Sequence, residues 1–213
     1  MAVMGYNRVM PSKNTIKEQV PESYYHVYAR GANRQKIFVE AADYKYFLEL
    51  FSRYLSRKQA ISQTGEPYPH YRNRVRLLAY CLMSNHLHLL IYQVDIPYLE
   101  KFMRSLMTSY SRYFNLKYKR TGPLFEDRYK AVRTGDDSYL MHITRYIHLN
   151  PQRWRNYRYS SLGYYCRGAA PDWLSTNPIL KLFKSRSDYM TFVADYEEQR
   201  NLLGEFKNQL ANY

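Results

Sequence analysis

His86 and His88 stand in the run Ser84-Asn85-His86-Leu87-His88-Leu89-Leu90-Ile91-Tyr92-Gln93, the one stretch where two metal-grade side chains sit inside strongly β-forming sequence. On a strand, alternate side chains share a face, so the two imidazoles project to one side, roughly 6 to 7 Å apart at ~3.3 Å of rise per residue. So placed, they can close on one cation. Leu87, Leu89 and Ile91 point the other way, which predicts a strand packed on an apolar core with one face and carrying chemistry on the other. A lone strand histidine is more often a hydrogen-bonded structural residue than a ligand. The pair therefore needs partners elsewhere in the chain.

The segment from about Asp137 to Leu149 supplies them. With a helical period of about 100° per residue, Leu140, Ile143 and Ile147 form an apolar stripe, and Tyr139, His142, Tyr146 and Asn150 form a polar stripe beside it. Tyr146 and Asn150 lie one turn apart, so a nucleophilic phenol and an amide oxygen ligand can face the same metal. Pro151 stops the helix and pushes Asn150 out of the helical region, which also allows Asn150 a plain reading as a terminus residue. An Asp or Ser in Thr134-Gly135-Asp136-Asp137-Ser138 caps the start.

Several elements must position these groups. Tyr24 to Arg30 is aromatic and β-branched and reads as a first strand, broken by Gly31 and Asn33 into a kinked, basic exit carrying Arg30, Asn33 and Arg34. Ala41 to Lys58 sets Tyr44, Phe47, Leu48, Phe51 and Leu55 at helical spacing, with Asp43, Lys45, Glu49 and Arg53 between them. After a polar loop, Val75 to Met83 is a near-continuous apolar strand, and Ser84-Asn85 turns the chain back into the histidine strand. A second long helix opens at Asp95-Ile96-Pro97 and buries Leu99, Phe102, Met103, Leu106, Met107, Tyr110 and Phe114. Gly122-Pro123 leads into a fourth strand from Leu124 to Arg133.

The charge on and after the second helix is nearly all positive: Lys101, Arg104, Arg112, Lys117, Lys119 and Arg120, followed by Arg128, Lys130 and Arg133 along the fourth strand. A solvated face is the ordinary reading of such charges. Their one sign favours contact with phosphates. The whole chain agrees, since 32 Lys and Arg against 18 Asp and Glu leave 213 residues at +14, a balance suited to a polyanion. Twenty-five tyrosines suit stacking on unpaired bases, although many must be core. Cys81 and Cys166 offer neither a disulfide framework nor zinc spacing, which fits a reducing cytosol. No apolar run reaches the ~20 residues of a membrane span, and no signal-peptide core opens the chain.

Taken in order, these pieces resemble the REP-associated tyrosine transposases, a branch of the single-tyrosine HUH transposases in the IS200-like family. The resemblance rests on His86-Leu87-His88 and Tyr146-Ile147-His148-Leu149-Asn150-Pro151, with Ala29 to Arg34 and Gly122-Pro123-Leu124-Phe125 between and before them. It covers about Tyr24 to Arg153. Related insertion-sequence transposases usually carry Gln four residues after the nucleophilic tyrosine, whereas this chain has Asn150, which favours the REP-associated branch.

The resemblance implies an α+β, ferredoxin-like antiparallel sheet with helices on one face and a tyrosine-bearing helix near the histidine strand. It implies Tyr146 as nucleophile, with His86, His88 and Asn150 holding Mg²⁺ or Mn²⁺; the basic residues of the chain make Arg30, Asn33, Arg34, Arg104, Arg112, Lys117, Lys119, Arg120, Arg128, Lys130 and Arg133 the nucleic-acid-facing candidates beside them. The substrate expected is single-stranded DNA beside an imperfect hairpin, nicked through a 5′-phosphotyrosine by a monomer or homodimer in the bacterial cytoplasm, associated with the nucleoid.

The expected divisions are an arm over 1–22, a catalytic domain over 23–153, and a basic, aromatic extension over 154–213 ending in a helix with Phe192, Val193, Tyr196, Leu202 and Leu203. Trp154, Tyr157, Tyr159, Tyr164, Tyr165 and Trp173 of that extension either stack on bases or pack on the core. Other classes stay open. A catalytically silent hairpin binder or repressor predicts tight binding without a covalent adduct, a rolling-circle initiator needs a helicase partner, and a hydrolytic nuclease would survive loss of Tyr146.

Overall fold

Alternation writes the sheet. The computed structural model describes residues 19–195, and four strands form one antiparallel sheet: β1 (Ser23–Arg30), β2 (Val75–Met83), β3 (His86–Gln93) and β4 (Lys130–Arg133). Their order is β2-β3-β1-β4, so the central strands are β1 and β3, paired from Ser23 opposite Gln93 to Arg30 opposite His86. Two helices, α1 (Ala41–Leu55) and α2 (Tyr98–Lys117), connect the strands as β1-α1-β2-β3-α2-β4. This is the ferredoxin-like arrangement expected from the sequence.

Both helices cover one face. Tyr25, Val27 and Ala29 of β1 and Leu87, Leu89 and Ile91 of β3 pack there with Phe47, Phe51, Phe102, Met103 and Leu106 in one buried cluster. The other face is covered by α3 (Asp137–His148) together with α4 (Leu162–Arg167), α5 (Asn177–Leu180) and α6 (Arg186–Ala194). Leu78, Ala79, Cys81 and Leu90 meet Leu140, Ile143 and Ile147 in this second cluster. The unbroken apolar run of β2 follows from being covered on both sides. A bulge between Leu77 and Ala79 lets Leu77 and Tyr80 share the first cluster while Leu78 and Ala79 join the second.

Residues after α3 hold it down with a buried polar chain. His148 Nδ1 lies 2.5 Å from the Tyr189 hydroxyl and its Nε2 lies 2.7 Å from Ser161 Oγ. Ser161 Oγ also accepts from the Tyr80 amide at 2.9 Å. The same segment runs along the outer side of β2: the Leu82 and Ser161 amides donate to Tyr159 and Tyr80 carbonyls, and the Ser175 amide donates to Leu77. Tyr157 and Tyr165 hydroxyls donate to the Leu82 and Leu78 carbonyls.

Three details differ from the sequence expectation. The fourth strand is four residues long, because Leu124, Phe125 and Tyr129 turn inward to the first cluster rather than continuing the ladder. The first helix ends at Leu55, short of Lys58. Asp43, set among the polar positions of α1, is fully buried, accepting from the amides of Val39 and Glu40 and from Tyr113, Lys117 and Tyr118. Gly31 is required where it stands, since a Cβ there would come within 2.3 Å of the Gln35 carbonyl oxygen. Val20 and Glu22, at the end of the expected arm, bond to Tyr25 and Val94. Residues 1–18 of that arm, and Tyr196, Leu202 and Leu203 of the expected terminal helix, lie outside the described residues.

Candidate active site

The alternation of β3 puts His86 and His88 on the face opposite Leu87, Leu89 and Ile91, with ring centroids 5.1 Å apart and planes near perpendicular. α3 lies above them. Its first turn is capped by Asp136, whose carboxylate accepts from the Tyr139 amide at 2.8 Å, and its apolar stripe seats it against β2 and β3. That seating fixes the rotation of the polar stripe. The Tyr146 ring stands edge-on to His88 at 5.4 Å, and Asn150 Oδ1 lies 3.1 Å from His86 Nε2. The Tyr146 phenol, both imidazoles and the Asn150 amide meet at one place in a single chain.

Burial sets the protonation of each group. His86 is pulled below its ordinary value by desolvation, with the Asn150 hydrogen bond opposing and Arg30 adding to the fall. His88 is pushed further down, by burial and then by its neighbours His26 and His86. Both are neutral near pH 7. Tyr146 is raised to about 12 by burial, with a hydrogen bond to Asn150 pulling the other way, so the resting phenol is protonated and becomes a nucleophile only as charge is compensated.

These donors suit a divalent cation. A neutral His86 has one ring proton, and Nδ1 faces Asn85 Oδ1 at 2.7 Å. With the proton on Nε2 it bonds Asn150 Oδ1; with the proton on Nδ1, the tautomer a cation would select, the Nε2 lone pair and the Asn150 oxygen are two donor atoms 3.1 Å apart for a shared ion. Among the described residues no cluster of three or more His, Cys, Asp or Glu side chains suited to a metal occurs. The set here is two imidazoles and one amide, which leaves half the positions of an octahedral ion to water and phosphate oxygens and so fits Mg²⁺ or Mn²⁺ better than a closed zinc site.

The basic candidates divide between two places. Arg30 sits opposite His86 in register, ion-paired to Glu126 at 3.2 Å, and Lys130 sits opposite Tyr28 on β4. Asn33 and Arg34 are exposed with left-handed backbone, beside the Ser84-Asn85 turn. Arg133 is exposed at the end of β4. Arg104, Arg112 and Arg128 instead line one groove between α2 and the loop before β4, floored by Met107, Leu124, Phe125 and Tyr129. This groove belongs to the side of the sheet away from α3. Lys117 is engaged by Glu40 and Asp43 at 2.6 Å each, Arg120 bonds Gln35 at 2.8 Å, and Lys119 is exposed.

Two further rings adjoin the site that no local motif marks, His26 and Tyr28 of β1. His26 Nε2 lies 3.0 Å from His88 Nδ1, with the rings stacked at 5.2 Å. Tyr28 sets its ring 4.9 Å from His88 and 5.9 Å from His86. Their signal was the period of two in Tyr24-x-His26-x-Tyr28, readable as one face of β1 once β1 is placed beside β3.

Strand order, with two helices on one face and a third closing a polar site on the other, defines a ferredoxin-like α+β protein. The family described as Transposase IS200 like matches residues 19–150, and the chain belongs to that family. A solved structure of a REP-associated tyrosine transposase bound to a REP hairpin is similar, with a TM-score of 0.52 over 76% of this chain and 90% of that one. Identity to it is 12%, so that likeness speaks for the fold. No curated protein matches. No helix among the described residues is long and apolar enough to cross a membrane.

Proposed function

We propose that this IS200-like transposase nicks and rejoins single-stranded DNA beside hairpin elements, using Tyr146 as nucleophile. The observation that carries the reading is the convergence of Tyr146, His86, His88 and Asn150 at one end of the α3 face within one chain. The Tyr146 oxygen attacks a backbone phosphorus. A tyrosine–phosphorus bond forms as the phosphorus–O3′ bond breaks, the phenol gives up its proton, and the O3′ leaves as a free hydroxyl. Reversal by a 3′-hydroxyl rejoins the strand without ATP, because the phosphodiester energy is kept in the tyrosine ester. A bound Mg²⁺ or Mn²⁺ would withdraw charge from the phosphate and orient it. His86, His88 and Asn150 would hold that ion, and α3 keeps Tyr146 over the same spot.

The structurally similar transposase is bound to a REP hairpin, and the basic, tyrosine-rich surface of this chain supports a hairpin-bearing strand as its partner too. We take 23–153 as the catalytic part and the following residues as its brace. Labelled hairpin-containing single strands incubated with the protein and Mg²⁺ should yield a denaturation-resistant protein–DNA adduct and a free 3′-hydroxyl. Tight binding with no adduct under Mg²⁺ or Mn²⁺ would instead make the chain a silent hairpin binder.

A further inference from the structure

β3 supplies two imidazoles to the site, and a third lies behind them. His26, 2% exposed, comes from β1, where it occupies the same sheet face one position along from Tyr28. Its Nε2 is 3.0 Å from His88 Nδ1, and the two rings lie within 12° of parallel. It also touches the nucleophile's ring edge-on, at 5.9 Å. Nothing in the tyrosine chemistry itself uses it.

We infer that His26 is a positioning residue that sets the tautomer and plane of His88, resting on the reading of His88 as a metal ligand. An imidazole has two nitrogens, and one that binds a cation through Nε2 must keep its proton on Nδ1. In a buried site that proton needs an acceptor, or the N–H is left unpaired. His26 Nε2 stands where the acceptor must be. With the opposite arrangement, His26 donating to His88 Nδ1, the proton on His88 would move to Nε2 and close the ligand position. Partners of this kind fix ligand rings elsewhere among metal sites, and losing one typically weakens metal affinity 10- to 100-fold.

Three variants separate the roles. Mn²⁺ binding to the DNA-free protein is measured by calorimetry or by the loss of free-ion spin-resonance signal, alongside circular dichroism to show folding. His26→Phe keeps a ring in the stack and removes the acceptor, and its Mn²⁺ affinity should fall by about 10- to 100-fold. His26→Gln places an amide oxygen close to the former Nε2 and should recover most of the loss. Cys166→Ser, on α4 and away from the histidines, should bind as the unmodified protein does. A folded His26→Phe protein with unchanged Mn²⁺ affinity overturns the inference.

A measurement on the unmodified protein decides the matter should His26→Phe not fold. Long-range ¹⁵N–¹H spectra of the histidine rings in saturating Mg²⁺ should show His88 protonated at Nδ1 and His26 unprotonated at Nε2. The reverse pattern overturns the assignment. If the unmodified protein neither binds Mn²⁺ nor forms the DNA adduct, the reading of the site itself fails. If it does both while His26→Phe matches it, only the role of His26 fails.

Discussion

On one side of the sheet Leu87, Leu89 and Ile91 meet the apolar faces of α1 and α2, whereas on the other His86, His88 and Leu90 of the same strand meet α3. The first side is held by area: its large side chains interdigitate, and Phe47, Phe51 and Phe102 are fully buried. The second is held by area and by partners. His26, His148, Ser161 and Tyr189 are buried there too, and each costs free energy unless bonded. Apolar packing tolerates several arrangements of similar volume, but a bonded polar chain tolerates few. The α3 side is thereby confined to one arrangement, and a reacting site needs that more than it needs extra stability.

Breaking the comparison begins with the nucleophile. Tyr146→Phe removes one hydroxyl from the α3 side and should abolish the adduct outright, with hairpin affinity retained and stability changed by about 1 kcal/mol. Mass spectrometry of an adduct trapped from the unmodified protein should place the nucleotide on the peptide holding Tyr146; another tyrosine would end the assignment. His86→Ala or His88→Ala should lower nicking on the order of 10²-fold or more, as a site worth several kcal/mol of charge stabilisation is lost. Gel-shift affinity for the hairpin should hold steady in both, and full nicking in either would remove the metal reading.

The converse substitution comes from the other side. Phe102→Ala should cost about 3–5 kcal/mol by urea titration, while the adduct formed per folded molecule stays the same. Loss of chemistry in a folded Phe102→Ala protein would mean that the two sides are not separable.

Acid sharpens the same contrast. Burial lowers the His148 pKa to about 3, against an ordinary value of 6.5. The unfolded chain therefore takes up a proton first as pH falls, so the stability from this group is whole above about pH 6.5 and drains away toward pH 3. Melting temperature should fall between pH 7 and pH 5, and His148→Gln should flatten that slope; equal slopes would show that His148 does not set it. The smallest effect belongs to the surface. Arg112→Gln should reduce the slope of log affinity against log salt by about 1, and an unchanged slope would remove the α2 groove from the DNA path.

Much of this was legible in the chain. The alternation around His86-x-His88 announced both faces of β3, and the stripe of Leu140, Ile143 and Ile147 oriented Tyr146 correctly toward the sheet, because those signals are local and periodic. What stayed hidden depends on pairing across distance. His26 looks like any strand histidine until β1 lies next to β3. Asp43 reads as a solvent position on α1 until Tyr113, Lys117 and Tyr118 of the second helix region close over it. Helices α4 to α6 are short, so their apolar positions never establish a period, and the aromatics of the extension prove mostly to pack: Tyr159 stacks on Tyr44 at 3.7 Å and Tyr165 is fully buried.

A strand at the end of a sheet is a template on which a foreign strand can assemble. On β2 the template is already in use, since Tyr159, Ser161 and Ser175 take the backbone positions along its outer side. At the opposite end β4 offers only four residues, with a lysine and an arginine among them. With both edges so occupied or so short, other copies of the chain, and any partly unfolded neighbour, find little to grow on. Trimming the residues after Arg153 would uncover the outer edge of β2, nine residues that are apolar but for Arg76, and light scattering of the shortened protein should show it aggregating.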